Sequence, residues 1–436
     1  MPKKVLIMGA AGKDFHVFNT CYRDNPDFEV MAFTAAQIPH IDNRFYPAVL
    51  AGRLYPDGIQ IKSERFLSSL IKENRIDEAI FAYSDVSYDY LETRRQKVQE
   101  CGAEFKLPDP QQTMLKSTKP VIAICAVRTG SGKSQTTRRI AAILREKKKK
   151  VAVVRHPMPY GDLAEQIIER FETMEDLDKY KCTIEEREEF EPHLRKGFVV
   201  FAGVDYEKIL REAEKEADII LWDGGNNDTP FFKPNLHITV ADPLRHGHEL
   251  SYYPGRLNFE MADVIIINKM DSAKPNNVDS IIRNAQKYNP RAVIIKANSP
   301  VTADKPELIK GKKVLVIEDG PTVTHGDMKF GAGYLAAQKY QAGQIIDPRP
   351  FAIGEIAEAY QKYPQTEFVL PALGYGNKQI KELETVIERS DCELVIIGTP
   401  VDLGRILKIN KPSVRVTYEL EEISQPDLKT ILDRFA

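Results

Sequence analysis

The sequence predicts an α/β protein: a P-loop NTPase domain with a parallel sheet, preceded by a Rossmann-like domain and followed by a further α/β region. Three observations predict it. Short β-rich apolar runs recur throughout the 436 residues, helical patterns separate them, and one run ends in a glycine-bearing turn that opens onto Gly132-Lys133-Ser134. Continuous apolar runs suit strands covered on both faces, and their alternation with helices implies parallel strands joined by crossovers. A single core stops growing near about 250–300 residues, so several units are required. Breaks in periodicity near Pro108 to Pro120 and at Asn298-Ser299-Pro300 divide the chain into 1–117, 118–300 and 301–436, the last either separate or continuous with the P-loop sheet.

In the first unit the expected strands are Val5–Met8, Val30–Phe33 and Ala79–Ala82. The turn Gly9-Ala10-Ala11-Gly12-Lys13-Asp14 spaces its glycines three apart, short of the full dinucleotide fingerprint, and no acidic ribose partner ends the second strand. A pocket completed by Tyr83-Ser84-Asp85-Val86-Ser87 and a structural or subunit-contact role both fit.

The second unit carries the chemistry. Its expected strands are Val121–Val127, Val151–Val154, Ile219–Trp222, Ile238–Ala241, Val264–Ile267 and Val293–Ile295. After the first of these, Arg128-Thr129-Gly130-Ser131-Gly132-Lys133-Ser134-Gln135 places backbone N–H groups at a helix N-terminus, where they converge on phosphate oxygens. Lys133 is the expected partner of the β and γ phosphates and Ser134 a ligand of Mg²⁺. Val127 stands where the usual loop has its first glycine. Aligned with the variant Lys-Gly-Gly-x-Gly-Lys-Thr loop of dimeric ATPases, Arg128 falls on the signature lysine, which gives it an expected catalytic role beside Lys133 and makes a homodimer an option. Asp223 closes an apolar strand and is the expected second, direct or water-mediated, Mg²⁺ ligand and catalytic carboxylate. Asn268-Lys269-Met270-Asp271 matches the guanine-reading motif of GTPases, although Ala297 fits the companion base-contacting loop poorly; ATP and GTP both stay open. Arg155-His156 with Tyr160-Gly161-Asp162, and Arg245-His246-Gly247-His248, sit at strand ends, where open parallel sheets place ligands. Arg155, His156, Arg245, His246 and His248 are therefore expected to make the cleft electropositive and to hold a small anionic phosphorylated substrate, with metal ligation or ordinary loop hydrogen bonding as the alternatives for His246 and His248.

In the third unit, Val314–Ile317 and Val395–Ile397 are expected strands. Glu318-Asp319-Gly320-Pro321-Thr322-Val323-Thr324-His325-Gly326 follows the first of them. Phe330-Gly331-Ala332-Gly333 opens a helix, either as a second anion site or for close packing. The lysine run at 147–150 and the acidic run Glu185-Glu186-Arg187-Glu188-Glu189 read as solvated faces.

Composition narrows the partners. Lys plus Arg number 61 against 63 Asp plus Glu, a formal charge of −2, so no global positive field recruits nucleic acid or acidic membrane. Five scattered cysteines without a CxxC pair argue against a disulfide framework or a cysteine zinc site. No apolar run reaches the roughly 18–20 residues that span a bilayer, and a cytoplasmic protein is expected.

On Val127-Arg128-Thr129-Gly130-Ser131-Gly132-Lys133-Ser134, Arg155-His156-Pro157-Met158-Pro159-Tyr160-Gly161-Asp162, Trp222-Asp223-Gly224-Gly225-Asn226-Asn227-Asp228 and Glu318-Asp319-Gly320-Pro321-Thr322, the chain resembles a family of P-loop proteins related to cyclic 2,3-diphosphoglycerate synthetase and also described as predicted GTPases. The resemblance spans all three units. It implies NTP-dependent closure of an intramolecular pyrophosphate in a small polyphosphorylated substrate, with release of NDP and phosphate. The alternative is a regulatory or chaperone-type GTPase with a protein partner.

Overall fold

The computed structural model describes residues 1–36, 44–156, 161–225, 227–324, 326, 328–373 and 377–435. The Pro157-Met158-Pro159-Tyr160 stretch, Asn226 and His325 lie outside the described residues. Each apolar run named above falls on a strand, with Ala82 and Val127 one residue past the ends of theirs. Among the described residues the strands assemble into three large sheets and one two-stranded ladder.

The phosphate-loop strand, Val121–Ala126, is buried along its whole length at the centre of a nine-stranded sheet. It pairs in parallel with Ile219–Trp222 on one side and Leu236–Ala241 on the other. Val151–Val154 and Val199–Ala202 extend the sheet outward in parallel on the first side, and Val264–Ile267 and Val293–Asn298 do so on the second. Successive strands run out from this central strand in both directions, so its carboxyl end lies at a topological switch point, where such sheets bind ligands. The Lys133–Glu146 helix buries Ile140, Ala141, Ile143 and Leu144 against the sheet.

The first unit is a six-stranded sheet in the order Phe45–Tyr46, Ile59–Ser63, Phe28–Ala35, Lys3–Met8, Glu78–Phe81, Glu104–Lys106. It docks on the central unit through the Tyr252–Tyr253 and Val86–Ser87 ladder and through the His16 ring stacked on Phe231, with centroids 4.1 Å apart. The third unit builds a sheet from Val301–Ala303, Ser413–Tyr418, Leu394–Ile397, Lys313–Asp319 and Gln344–Ile345, with Leu370–Ala372 on the far half of Lys313–Asp319. The chain then returns. Glu421–Glu422 pairs antiparallel with Ala297 and Asn298, and Leu428 and Leu432 join the core beside Ile143 and Leu144. No helix among the described residues is long and apolar enough to cross a membrane.

The acidic run corrects its reading as a solvated face. It forms the Ile184–Leu194 helix, in which Glu185, Glu186 and Glu188 are each at most 5 % exposed. The helix starts with a capping box between Thr183 and Glu186 and packs on Val199–Ala202, so these three carboxylates lie inside the fold rather than on its outer surface.

Candidate functional site

The turn after Val121–Ala126 is held in shape from several directions. Gly130 and Gly132 have φ of +78° and +114°, conformations that L side chains rarely adopt. A Cβ on Gly132 would also collide with the Asn268 and Gln135 amides. Asn268 Nδ2 donates to the Ser131 carbonyl at 2.9 Å, and Lys269 Nζ donates to the Gly130 carbonyl at 2.6 Å and to Asp242 at 2.9 Å. Arg245 donates to the Thr129 carbonyl at 2.7 Å and to Asp242 at 2.9 Å. From the first unit, Asp85 accepts the Thr129 N–H at 3.1 Å and the Arg128 Nε–H at 2.7 Å.

Lys133, the first residue of its helix, donates through Nζ to Asp223 Oδ1 at 2.8 Å and to the Asp223 and Gly224 carbonyls. Burial and the neighbouring Arg155 charge push its ammonium down to about 8. Asp223 is fully buried at the end of Ile219–Trp222. Its Oδ2 lies 2.5 Å from Arg155 Nη1 and 3.3 Å from His193 Nε2. Burial alone would raise this carboxyl, but the Arg155 and Lys133 charges hold it far below the carboxylate range. Sequence reasoning missed His193, which the acidic helix delivers. Nothing in the spacing of a lone histidine in an acidic run points to a strand end 30 residues away.

One cavity collects Arg128, Thr129, Gly130, Gly132, Lys133, Ser134, Gln135 and Lys269 on its phosphate-loop side. Glu185, Glu189, Glu318, Asp319, Phe330 and Tyr418 line it too, and Thr322 Cγ2 comes within 3.2 Å of where a Gly130 Cβ would sit. Ser131, Asp223, Asn268, Asp271, Arg155, His156, Arg245, His246 and His248 are not among its lining residues. Asn268 and Lys269 brace the loop from behind, while Asp271 accepts from the Ser299 N–H at 3.1 Å and Ser299 in turn donates to Gln135.

The electropositive cleft expected from the Arg and His clusters is not what the structure shows. Arg155 pairs with Asp223 and Glu189, Arg245 with Asp242, and Arg128 with Asp85 while its guanidinium lies 3.6 Å over the Tyr252 ring. His156 is 3.4 Å from Asp228, His248 is 2.8 Å from Arg128, and His246 is exposed. Buried guanidinium groups are tolerable only with carboxylate partners, so these cations are neutralised inside the protein. For Arg128, expected to resemble the signature lysine, this commitment to Asp85 makes it a strut between units. Nor is the glycine-rich start of the Ala332–Lys339 helix an open anion site. The Gly331, Gly333 and Tyr334 N–H groups all donate to the Glu318 carboxylate at 2.8–3.2 Å.

The first unit's glycine turn is filled in the same way. Asp14 accepts from the Ala11 and Phe15 N–H groups at 2.7 Å each, and a Cβ on Gly12 would strike the His156 ring.

Searched against models of protein families, the sequence matches none. It is 61 % identical over 434 residues to arginine synthetase ArcE of Thermococcus kodakarensis, covering all of this chain and 97 % of that one. Among solved structures it is similar to LpxK of Aquifex aeolicus with ATP, at a TM-score of 0.44 and 12 % identity over 84 % of this chain and 99 % of that one. It also matches cobyrinic acid a,c-diamide synthase of Mycobacterium smegmatis with ADP and magnesium, at 0.19 and 16 % over 48 % and 79 %. Likenesses this distant carry no functional argument. With its phosphate loop and its whole length aligned to that synthetase, the chain belongs to the arginine synthetase ArcE family.

Proposed function

We propose that the protein is a nucleoside-triphosphate-dependent synthetase whose product is arginine or a close analogue. The observation that carries this reading is the cavity in which the phosphate loop shares a lining with Glu318 and Asp319 of the third unit, in a chain 61 % identical to an arginine synthetase. Lys133 and the amides of Gly130, Gly132, Lys133 and Ser134 hold the triphosphate tail, while the Thr129 N–H is committed to Asp85. The Ser134 hydroxyl, at the cavity wall, would hold Mg²⁺, whereas Asp223, whose oxygens already meet Lys133, Arg155 and His193, would act on the ion only through water. When bound, that ion offsets charge on the transferring phosphoryl group.

Making a guanidinium from an oxygen-bearing carbon requires that oxygen to become a leaving group. The acceptor oxygen attacks the γ-phosphorus and NDP departs. A nitrogen nucleophile then attacks the carbon, inorganic phosphate leaves, and the nitrogen's proton passes to solvent. Both steps gain chiefly from positioning and charge stabilisation. Closure of a pyrophosphate in diphosphoglycerate would follow the same sequence of phosphorylation and displacement. It would, however, set two phosphates against Glu185, Glu189, Glu318 and Asp319, a wall that favours an acceptor with little negative charge.

The test is phosphorus NMR with amino-acid analysis, on protein with Mg²⁺, ATP or GTP, ammonium and the ureido analogue of arginine. Equimolar arginine, NDP and phosphate are expected, and the preferred nucleotide is read in the same experiment. NDP release that ignores the acceptor would point to a hydrolysing GTPase. Cyclised diphosphoglycerate, in a parallel sample, would restore the pyrophosphate reading.

A further inference from the structure

The cavity's far wall contains carboxylates that the phosphate chemistry does not use. Asp319 ends the Lys313–Asp319 strand and lines the cavity; Glu188, from the Ile184–Leu194 helix, stands behind it at 5 % exposure. Glu188 Oε1 accepts from Thr399 Oγ1 at 2.6 Å, and Asp319 Oδ2 accepts from Thr322 Oγ1 at 2.6 Å. Glu188 Oε2 is buried with no hydrogen-bond partner, although the two carboxyls are within hydrogen-bonding range of each other. Apart from the two threonine hydroxyls, only a proton shared between the carboxyls would give Glu188 Oε2 a donor. Glu318 lies next in the chain, and among the described residues no lysine or arginine pairs with Glu188, Glu318 or Asp319. Burial first, and for Glu188 the Asp319 charge second, holds the Glu188 and Asp319 carboxyls above their usual range; burial holds Glu318 at about 7. A buried acidic pair of this kind is stabilised by a cation that supplies several N–H donors.

We infer that Asp319 and Glu188, with Glu318 beside them, form the subsite for a planar guanidinium group, the cationic end of the second substrate or product. The inference rests on the reading of the cavity as a chamber shared by nucleotide and acceptor. A guanidinium offers N–H groups along two edges, so one that meets Asp319 at the cavity wall can also reach toward the unpartnered Glu188 oxygen behind it. The phosphate loop lines the same cavity, so a guanidinium held at Asp319 would share that space with the nucleotide.

Isothermal titration of the full chain with methylguanidinium, L-arginine, Mn²⁺ and ADP tests this on wild type, Asp319→Asn and Glu188→Gln. Both variants are expected to bind methylguanidinium and arginine about tenfold or more weakly, with ADP affinity unchanged as proof that the fold survives. Unchanged guanidinium binding would overturn the subsite. So would Mn²⁺ binding that both variants lose while guanidinium is ignored, which would assign the pair to a metal. Should guanidinium bind as expected while no arginine is ever formed, the subsite stands and the proposed reaction falls. Should Asp319→Asn make arginine with wild-type kcat and KM, the reaction stands and the subsite falls.

Discussion

Two turns in this molecule begin alike and end differently. Lys3–Met8 and Val121–Ala126 are both buried central strands that run through glycines into a helix opening with lysine, at Lys13 and at Lys133. At the first, Asp14 occupies the amides and His156 occupies the face of Gly12. At the second, side chains from Asn268, Lys269, Arg245 and Asp85 grip the loop from its outer side, and its inner side lines a cavity. The difference teaches that a glycine turn at a strand end is only a scaffold. What the neighbouring elements place in it decides between a ligand site and a packing joint.

The largest expected effect tests the open turn. Lys133→Ala removes the cation aimed at the β and γ phosphates and is expected to cut nucleotide turnover at least on the order of a hundredfold. Arg155 and His193 still partner Asp223, so the fold is retained; steady-state kinetics with circular dichroism on the same sample checks both. Turnover at the wild-type rate would erase the distinction between the two turns.

A smaller effect is expected from Asp85→Asn, which weakens the grip of the first unit on Thr129 and Arg128. Loss of a charge-assisted contact of this kind costs about 1.5–3 kcal/mol where it is buried. Nucleotide affinity is expected to fall about tenfold, read by titration. If affinity holds, the N-terminal sheet is a bystander to the loop.

Smallest in its consequence for turnover is Asp14→Asn, in the filled turn. Burial raises the Asp14 carboxyl from 3.8 to about 7, so the folded protein holds a proton there that the unfolded chain releases. Its contribution is therefore fully present below about pH 4 and is lost as pH rises toward 7, with a slope no steeper than about 1.4 kcal/mol per pH unit. Asparagine keeps the acceptor oxygen for Ala11 and Phe15 and does not ionise. Denaturant unfolding across that range is expected to show the variant gaining on wild type as pH rises; parallel curves would mean that Asp14 is charged in the fold.

The sheets were legible because parallel strands covered on both faces write themselves as runs such as Ile219–Trp222 and Val264–Ile267, and the phosphate loop because Gly-Lys-Ser follows one of them. Shorter or mixed strands were not. Ser413–Tyr418 alternates buried and partly exposed residues, and Glu169–Phe171 is a three-residue edge. The electrostatics were the least legible part. Arg155 and Arg245 look like substrate ligands in a list of strand ends, yet their partners Glu189 and Asp242 are set by packing at long or turn-specific range. The burial of Glu188 is equally invisible, because the run around it has the composition of a solvated helix.

The returning segment at Glu421–Glu422, with Leu428 and Leu432 seated beside Ile143, ties the phosphate-loop sheet to residues that follow the whole third sheet in the chain. A nascent chain that has already emitted every parallel strand of that sheet still exposes apolar surface under the loop's helix until the whole third sheet has been translated. Nucleotide competence is thus expected only once Leu428 and Leu432 are in place, and a product stopped before them is a client for proteolysis instead of a half-active enzyme.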